Sequence, residues 1–289
     1  MQKIITTLRD LGELIAFKHS IFALPFIFIA MLVASFLQSG SAWFGFRLLV
    51  LGILCAVSAR NFAMLLNRYL DRDIDAANER TKDRPSVDGR VSGATIFIFT
   101  VSNALIFILC SWAINSLAFA LSVPFLAVLG GYSFFKRFSS SAHIILGLSL
   151  GLAPIAGVVA VSASIPLWAV LLGLGVLFWV AGFDLLYSLQ DMEFDRKAGL
   201  YSVPSIYGEA ATMALSRLFH ALTVLFWLLF AWAAGLGVVV YAGVGVSAVI
   251  LFFEHRIVAC DFTKIDKAFF TLNGWLGIIF FAFVLWGVL

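Results

Sequence analysis

Asn67, Asp71 and Asp75 stand at i, i+4 and i+8 in the stretch NRYLDRDIDAANERTKDRP. Tyr187, Asp191 and Asp195 repeat that spacing 120 residues later, in YSLQDMEFDRKAGLYSVPSIYG. Residues four apart on a helix project from one face. Two carboxylates stacked there repel each other unless a cation joins them. The tails match as well, since PSVDG (Pro85 to Gly89) is answered by PSIYG (Pro204 to Gly208). Solvated anchoring charges account for the neighbouring Arg and Lys residues but not for acids stacked twice on a face. Hard carboxylate oxygens suit Mg²⁺, which commonly shares its coordination with substrate phosphates. A diphosphate bridged through Mg²⁺ to the pairs Asp71/Asp75 and Asp191/Asp195 fits the spacing. Arg68, Arg72, Lys136 and Arg137 are placed to contact phosphate oxygens directly.

The elements that carry these residues are apolar and long. The chain has 289 residues, of which 62% are hydrophobic and 12% charged, with a mean hydropathy of +1.04. That charged fraction is about half of what a soluble domain carries. Runs of about 20 apolar residues indicate transmembrane helices. Nine spans are predicted, near 14–37, 46–66, 94–114, 117–135, 142–162, 166–187, 210–232, 236–254 and 268–288. The first run is too long for a signal peptide and lacks a small-residue cleavage site. Each acidic motif ends an even-numbered span, with four spans between them. This points to a duplicated four-helix unit with the ninth span outside it. The two motif loops are then expected to face one another across a central cavity. With 30 Phe and 8 Trp in the chain, that cavity should have apolar and aromatic walls. A lipid diphosphate is its natural occupant, head at the rim and tail in the bilayer.

Charge predicts the orientation. Lys3 and Arg9 precede the first span, and six Arg or Lys residues follow the second. Lys136 and Arg137 follow the fourth, Arg196 and Lys197 the sixth, and Arg256, Lys264 and Lys267 the eighth. Only Arg47 falls on the other side. The positive-inside rule then places the N-terminus and even-numbered loops in the cytoplasm and the C-terminus outside. The formal net charge of +3 is ordinary for this topology and gives no reason to invoke nucleic acid. Cys55, Cys110 and Cys260 are scattered without metal or disulfide spacing. His19, His143, His220 and His255 are equally dispersed, which argues against a zinc or haem site.

The paired motifs resemble those of the UbiA superfamily of intramembrane prenyltransferases. Asn67, Asp71 and Asp75 match the pattern N-x-x-x-D-x-x-x-D, and Asp191 and Asp195 match the second acidic motif, preceded by Tyr187. Tyr132 and Lys136 in YSFFKRFS match a third element, Y-x-x-x-K. Arg80-Thr81, Arg84-Pro85 and the phrase AFKHSIFALPF resemble the 4-hydroxybenzoate polyprenyltransferase branch. The likeness spans the whole chain, 1–289, as a single polytopic domain. It implies an all-α integral membrane fold of nine helices around a central cavity. It also implies an Mg²⁺-dependent transfer of a polyprenyl group from its diphosphate to an aromatic ring, in ubiquinone or menaquinone biosynthesis.

By position, Asp71, Asp75, Asp191 and Asp195 with Asn67 hold the Mg²⁺–diphosphate, while Lys136, Arg72 and Arg137 contact it. Tyr132 and Tyr187 orient the diphosphate or shield the allylic cation. Arg60 and Asp184 lie within spans, where charges are costly and usually functional. Arg60 or Lys18 is assigned to the carboxylate of the acceptor. Asp73, Asp83, Asp88 and Glu193 fall off the repeated face and are read as surface residues. The implied partners are a polyprenyl diphosphate, an aromatic acid and the bilayer of a bacterial plasma membrane, with no obligatory protein partner. The second motif, QDMEFDRKAGLYSVP, lacks the doubled Asp of many ubiquinone-pathway members. A hydroxynaphthoate acid therefore stands beside hydroxybenzoate as acceptor, with haem or a glycerol phosphate lipid as alternatives. A secondary transporter is the alternative of another class, since such proteins also carry internal repeats. Its site is expected at mid-membrane rather than at the helix ends.

Overall fold

The computed structural model describes residues 9–15, 22–260, 265 and 268–289. Regular structure among them is helical, and we number the helices in chain order. They are α1 (Leu24–Ser39), α2 (Phe46–Leu70), α3 (Arg72–Ala77), α4 (Gly93–Ile114), α5 (Ser116–Phe135) and α6 (Ala142–Ser162), then α7 (Leu167–Ser188), α8 (Met192–Ala198), α9 (Val203–Ala233), α10 (Val238–Cys260) and α11 (Asn273–Val288). Eight helical stretches are long and apolar enough to cross a membrane, and the shorter α1 is also apolar. Among the described residues eight of the nine expected spans are thus present, and the short α1 stands where the first was expected; boundaries move by several residues, α2 running on to Leu70 and α10 to Cys260. The first was predicted from residue 14, but α1 begins at Leu24. Pro25 stands in its first turn, where a missing N–H costs nothing. Residues 9–14 form a separate helical turn. Its Leu11 and Leu14 pack against Leu65, Val91 and Ile96.

The core binds α1, α7, α9 and α11. Phe26 stacks on Trp227 at 5.4 Å, and Trp227 on Phe280 at 4.5 Å between ring centroids. Asn273 ties three helices together, accepting from Trp179 Nε1 at 2.8 Å and donating to Glu254 Oε1 at 2.6 Å. Beside it, His220 Nδ1 lies 2.9 Å from His255 Nε2. Those two histidines, which looked dispersed in sequence, therefore meet in space. Even so, no three His, Cys, Asp or Glu side chains converge as a ready-made metal site among the described residues. By contrast, α2, α4 and α5 leave most of their apolar surface uncovered, as helices facing lipid do.

The duplication is visible in the backbone. Asp71, between α2 and α3, has φ −95° and ψ 12°, while Asp191, before α8, has φ −97° and ψ 0°. The glycines closing the two Pro-Ser-x-x-Gly tails both take the left-handed region, Gly89 at φ 86° and Gly208 at φ 80°. An L side chain is strained there. At Gly208 this kinks α9, so its membrane-length part begins close to residue 210, as predicted.

Candidate active site

The first motif keeps one face across a helix break. The Asp71 N–H donates to Asn67 O at 2.9 Å, and the Asp75 N–H to Asp71 O at 2.7 Å. The i to i+4 pattern therefore continues from α2 into α3, and all three side chains line a single cavity. Asn67 Nδ2 donates to Asp71 Oδ2 at 2.7 Å and to Ser133 Oγ at 3.2 Å. Lys136 Nζ lies 2.6 Å from Asp71 Oδ2. Burial pushes the Asp71 carboxyl above the usual range, and the Lys136 ammonium only partly offsets it. Asp75 Oδ1 accepts from Arg84 Nη1 at 2.7 Å, and Arg68 Nη1 stands 3.8 Å from its other oxygen.

The second motif meets the first across the cavity mouth. Tyr187, Asp191 and Asp195 all line the same cavity. From the loop after α3, Asn78 Nδ2 and Arg80 Nε each donate to Asp191 Oδ1 at 3.1 Å, and Arg80 Nη2 pairs with Oδ2. Arg80 Nη1 also donates to the Tyr187 hydroxyl at 3.1 Å, with the guanidinium 5.5 Å from the ring centroid. The loop after α5 joins them, because the Tyr201 N–H donates to Lys136 O at 2.8 Å.

Of the residues singled out in the sequence, Lys136, Tyr132 and Arg60 line the cavity together with the motif residues. Arg72 and Arg137 are not among the lining residues, although Arg137 Nη2 stands 3.6 Å from Asp71 Oδ1. Arg72 Nε donates to Ser86 O at 2.9 Å and so latches the first Pro-Ser tail. Arg196 makes the corresponding tie in the second half, from Nε to Ser205 O at 3.1 Å. Arg137 forms a two-pronged pair with Asp73 at 2.8 and 3.0 Å and holds that carboxyl at about 2. Lys18 lies outside the described residues. Asp73 and Glu193 are exposed, as expected of residues off the repeated face.

Sequence reasoning missed Asn78, Arg80 and Arg84 as partners of the acids, although Arg80 and Arg84 were visible in the RT and RP pairs. It also overlooked His143, which lines the cavity. Nothing in local spacing announces that residue.

The cavity has a volume of about 500 Å³, within the range of small-molecule sites. Phe22, Phe107, Phe125, Phe183 and Phe194 contribute to walls that are otherwise mainly aliphatic. The tryptophans take no part: Trp168, Trp179 and Trp227 are in the core, while Trp43, Trp112, Trp232, Trp275 and Trp286 are exposed. Asp71 Oδ1 and Asp75 Oδ2 are buried without a hydrogen-bond partner. Unsatisfied hard oxygens at the mouth of an apolar cavity are what a divalent cation shared with a phosphate requires.

This geometry has close counterparts. Residues 23–286 match the family described as the UbiA prenyltransferase family. A "4-hydroxybenzoate octaprenyltransferase" of Xanthomonas campestris pv. campestris (strain B100) is 32% identical over 77% of this chain and 73% of its own length. One of the same name from Herminiimonas arsenicoxydans is 27% identical over 81% of this chain and 82% of the relative. A solved UbiA homolog from Aeropyrum pernix K1 superposes with a TM-score of 0.83 at 30% identity, covering 94% of this chain and 98% of that one. Another from Archaeoglobus fulgidus, bound to DMAPP and Mg²⁺, gives a TM-score of 0.74 at 19% identity over 96% and 99%. At that identity it supports the fold alone.

Proposed function

This chain belongs to the UbiA prenyltransferase family, and we propose that it transfers a polyprenyl group from its diphosphate to a hydroxy-aromatic acid. The observation that carries this reading is the meeting of two acidic motifs at the mouth of one mainly apolar cavity. The curated relatives act, by name, on 4-hydroxybenzoate.

Asp71, Asp75, Asp191 and Asp195, with Asn67 supporting, would hold Mg²⁺ against the diphosphate. When bound, the ion neutralises the charge that develops on the leaving group. Lys136 lies beside Asp71 and can turn to phosphate oxygens as the diphosphate arrives. Tyr132 and Tyr187 offer ring faces to the allylic cation. The apolar walls keep water from capturing that cation as an alcohol. Arg60, deeper in the same cavity, pairs with the carboxylate of the acceptor and fixes the ring for attack. Lys18 is the second candidate for that pairing. The whole chain acts as one domain in a bacterial plasma membrane, with the site at its cytoplasmic face.

The test is mass spectrometry of products from purified protein given Mg²⁺, several polyprenyl diphosphates, and hydroxybenzoate and hydroxynaphthoate acids. Prenylated acid is expected. Solute flux in proteoliposomes without prenyl transfer would replace the enzyme with a transporter.

A further inference from the structure

Asp184 belongs to neither acidic motif, yet it faces the same cavity. It stands on α7 seven residues before Asp191, on the order of 10 Å deeper by helix rise. Its Oδ2 lies 2.7 Å from Nδ1 of the buried His143, on α6. The other ring nitrogen, Nε2, accepts the Val203 N–H at 3.4 Å. That nitrogen therefore keeps its lone pair, and the proton sits on Nδ1, pointed at the carboxylate. Among the described residues no Lys or Arg pairs with Asp184, and its second oxygen has no hydrogen-bond partner. Its side chain remains 23% exposed. A carboxylate at membrane depth without a cation is costly and marks function. Here a histidine holds it in the wall of the cavity that Arg60 and both acidic motifs also line.

We propose that Asp184, positioned by His143, takes the proton that the acceptor ring loses. The inference rests on the aromatic-transfer reading above. As the C1–O bond of the prenyl diphosphate breaks, its electron pair leaves with the diphosphate. A π pair of the ring then forms the new carbon–carbon bond to C1. The ring carbon that was attacked still bears hydrogen. Its C–H pair restores aromaticity as the proton moves to Asp184. A dry cavity offers no bulk water for that step, and a placed carboxylate is an ordinary general base. Once the diphosphate departs, the carboxyl returns the proton to solvent.

The experiment compares hydroxybenzoate with the same acid deuterated at both carbons ortho to the hydroxyl, in the full-length protein. Wild type should show a negligible isotope effect on turnover. Asp184→Asn keeps the shape and should lower kcat by about 10²–10⁴-fold, the usual yield of a general base, with KM for the prenyl diphosphate unchanged. It should also expose a primary isotope effect, because proton loss has become slow. His143→Leu should show the same signature with Asp184 intact, and His143→Asn, which can still donate near Nδ1, should recover most of the rate. Wild-type turnover in Asp184→Asn would overturn the proposal. So would a rate loss in both variants without any change in isotope effect, which marks a merely structural pair. If wild type prenylates no aromatic acid, the functional reading beneath it falls as well.

Discussion

Lys136 against Asp71, Arg84 against Asp75 and Arg80 against Asp191 show how acids that repel one another share a cavity mouth before substrate arrives. Each cation lowers the cost of burying a carboxylate, and each can be handed to a phosphate oxygen. On the proposed function, removing one acid therefore removes a metal ligand and strands its cation. Asp71→Ala and Asp191→Ala act on different halves of the duplicated site. Each is expected to reduce transfer by at least about 10²-fold, in the range of losing a key electrostatic stabiliser, while the protein still inserts and folds. Turnover assays with an EDTA control check this, and retained activity in both variants, or full wild-type activity in excess EDTA, would remove the metal from the mechanism. Arg60→Ala should instead raise the acceptor KM by about tenfold or more, the loss expected when one member of a desolvated charge pair is truncated. KM for the diphosphate should hold. Phenols lacking the carboxylate should be poor substrates of the wild type, and equal turnover of acid and phenol would end the anchoring idea.

Elements place these residues by approaching one another closely at small side chains. A Cβ on Gly147 of α6 would stand 2.3 Å from Leu177 O of α7. Backbone cannot yield as a flexible side chain does, so α6 and α7 would have to separate. Gly147→Ala should destabilise the fold by about 1–3 kcal/mol, the range for overpacking. Gly131→Ala on α5, with nothing within 4 Å of the added carbon, is the control. Thermal unfolding in detergent reads both, and equal melting temperatures would show that the contact is loose. The helices themselves were legible because a membrane span must be apolar throughout its length. The acidic faces were legible because i, i+4 spacing survives the break at Asp71. The first boundary was not, since an apolar run continues through Pro25 whether or not the helix does. Nor were the true partners of the acids. Arg72 has the right charge and neighbourhood, but the loop turns it toward Ser86, and Arg137 is shared between Asp73 at 2.8 Å and Asp71 at 3.6 Å. Arg80 and Asp191 are 111 residues apart, and only the folding of the two halves onto each other brings them together. Asp184 was marked by its place within a span, but its pairing with His143, 41 residues away, escaped notice for the same reason.

At the scale of the whole molecule, the loops after α2, α5 and α7 are tied at one end. Arg137 joins Asp73, Tyr201 joins Lys136, and Arg80 joins Asp191. Arg47 lies at the opposite end, where it bonds Ala113 O near the close of α4. Arg80, Lys136 and Arg137 thus gather at the end that holds the cavity mouth, and on the positive-inside rule we propose that this end is cytoplasmic. The count of crossings turns on α1. Its 16 residues rise about 24 Å, less than the roughly 30 Å of a bilayer core. But α1 is central, with ten buried residues, and it packs against α6 and α11. Protein rather than lipid therefore surrounds α1 from Pro25 to Ser35, although its C-terminal end from Leu37 on is exposed; on that packing we propose that the short helix crosses. With α1 crossing, the number of spans is odd, and the two termini lie on opposite sides. Reporters fused after Phe138 and after Ile265 should read as cytoplasmic, and one after Leu289 as external. If the reporter after Leu289 is cytoplasmic while the other two hold, the segment between Ile265 and Leu289, which contains α11, does not cross. A reporter at the N-terminus tests α1 itself: an external reading there, with the other three as expected, would mean that α1 does not cross and that the number of crossings is even.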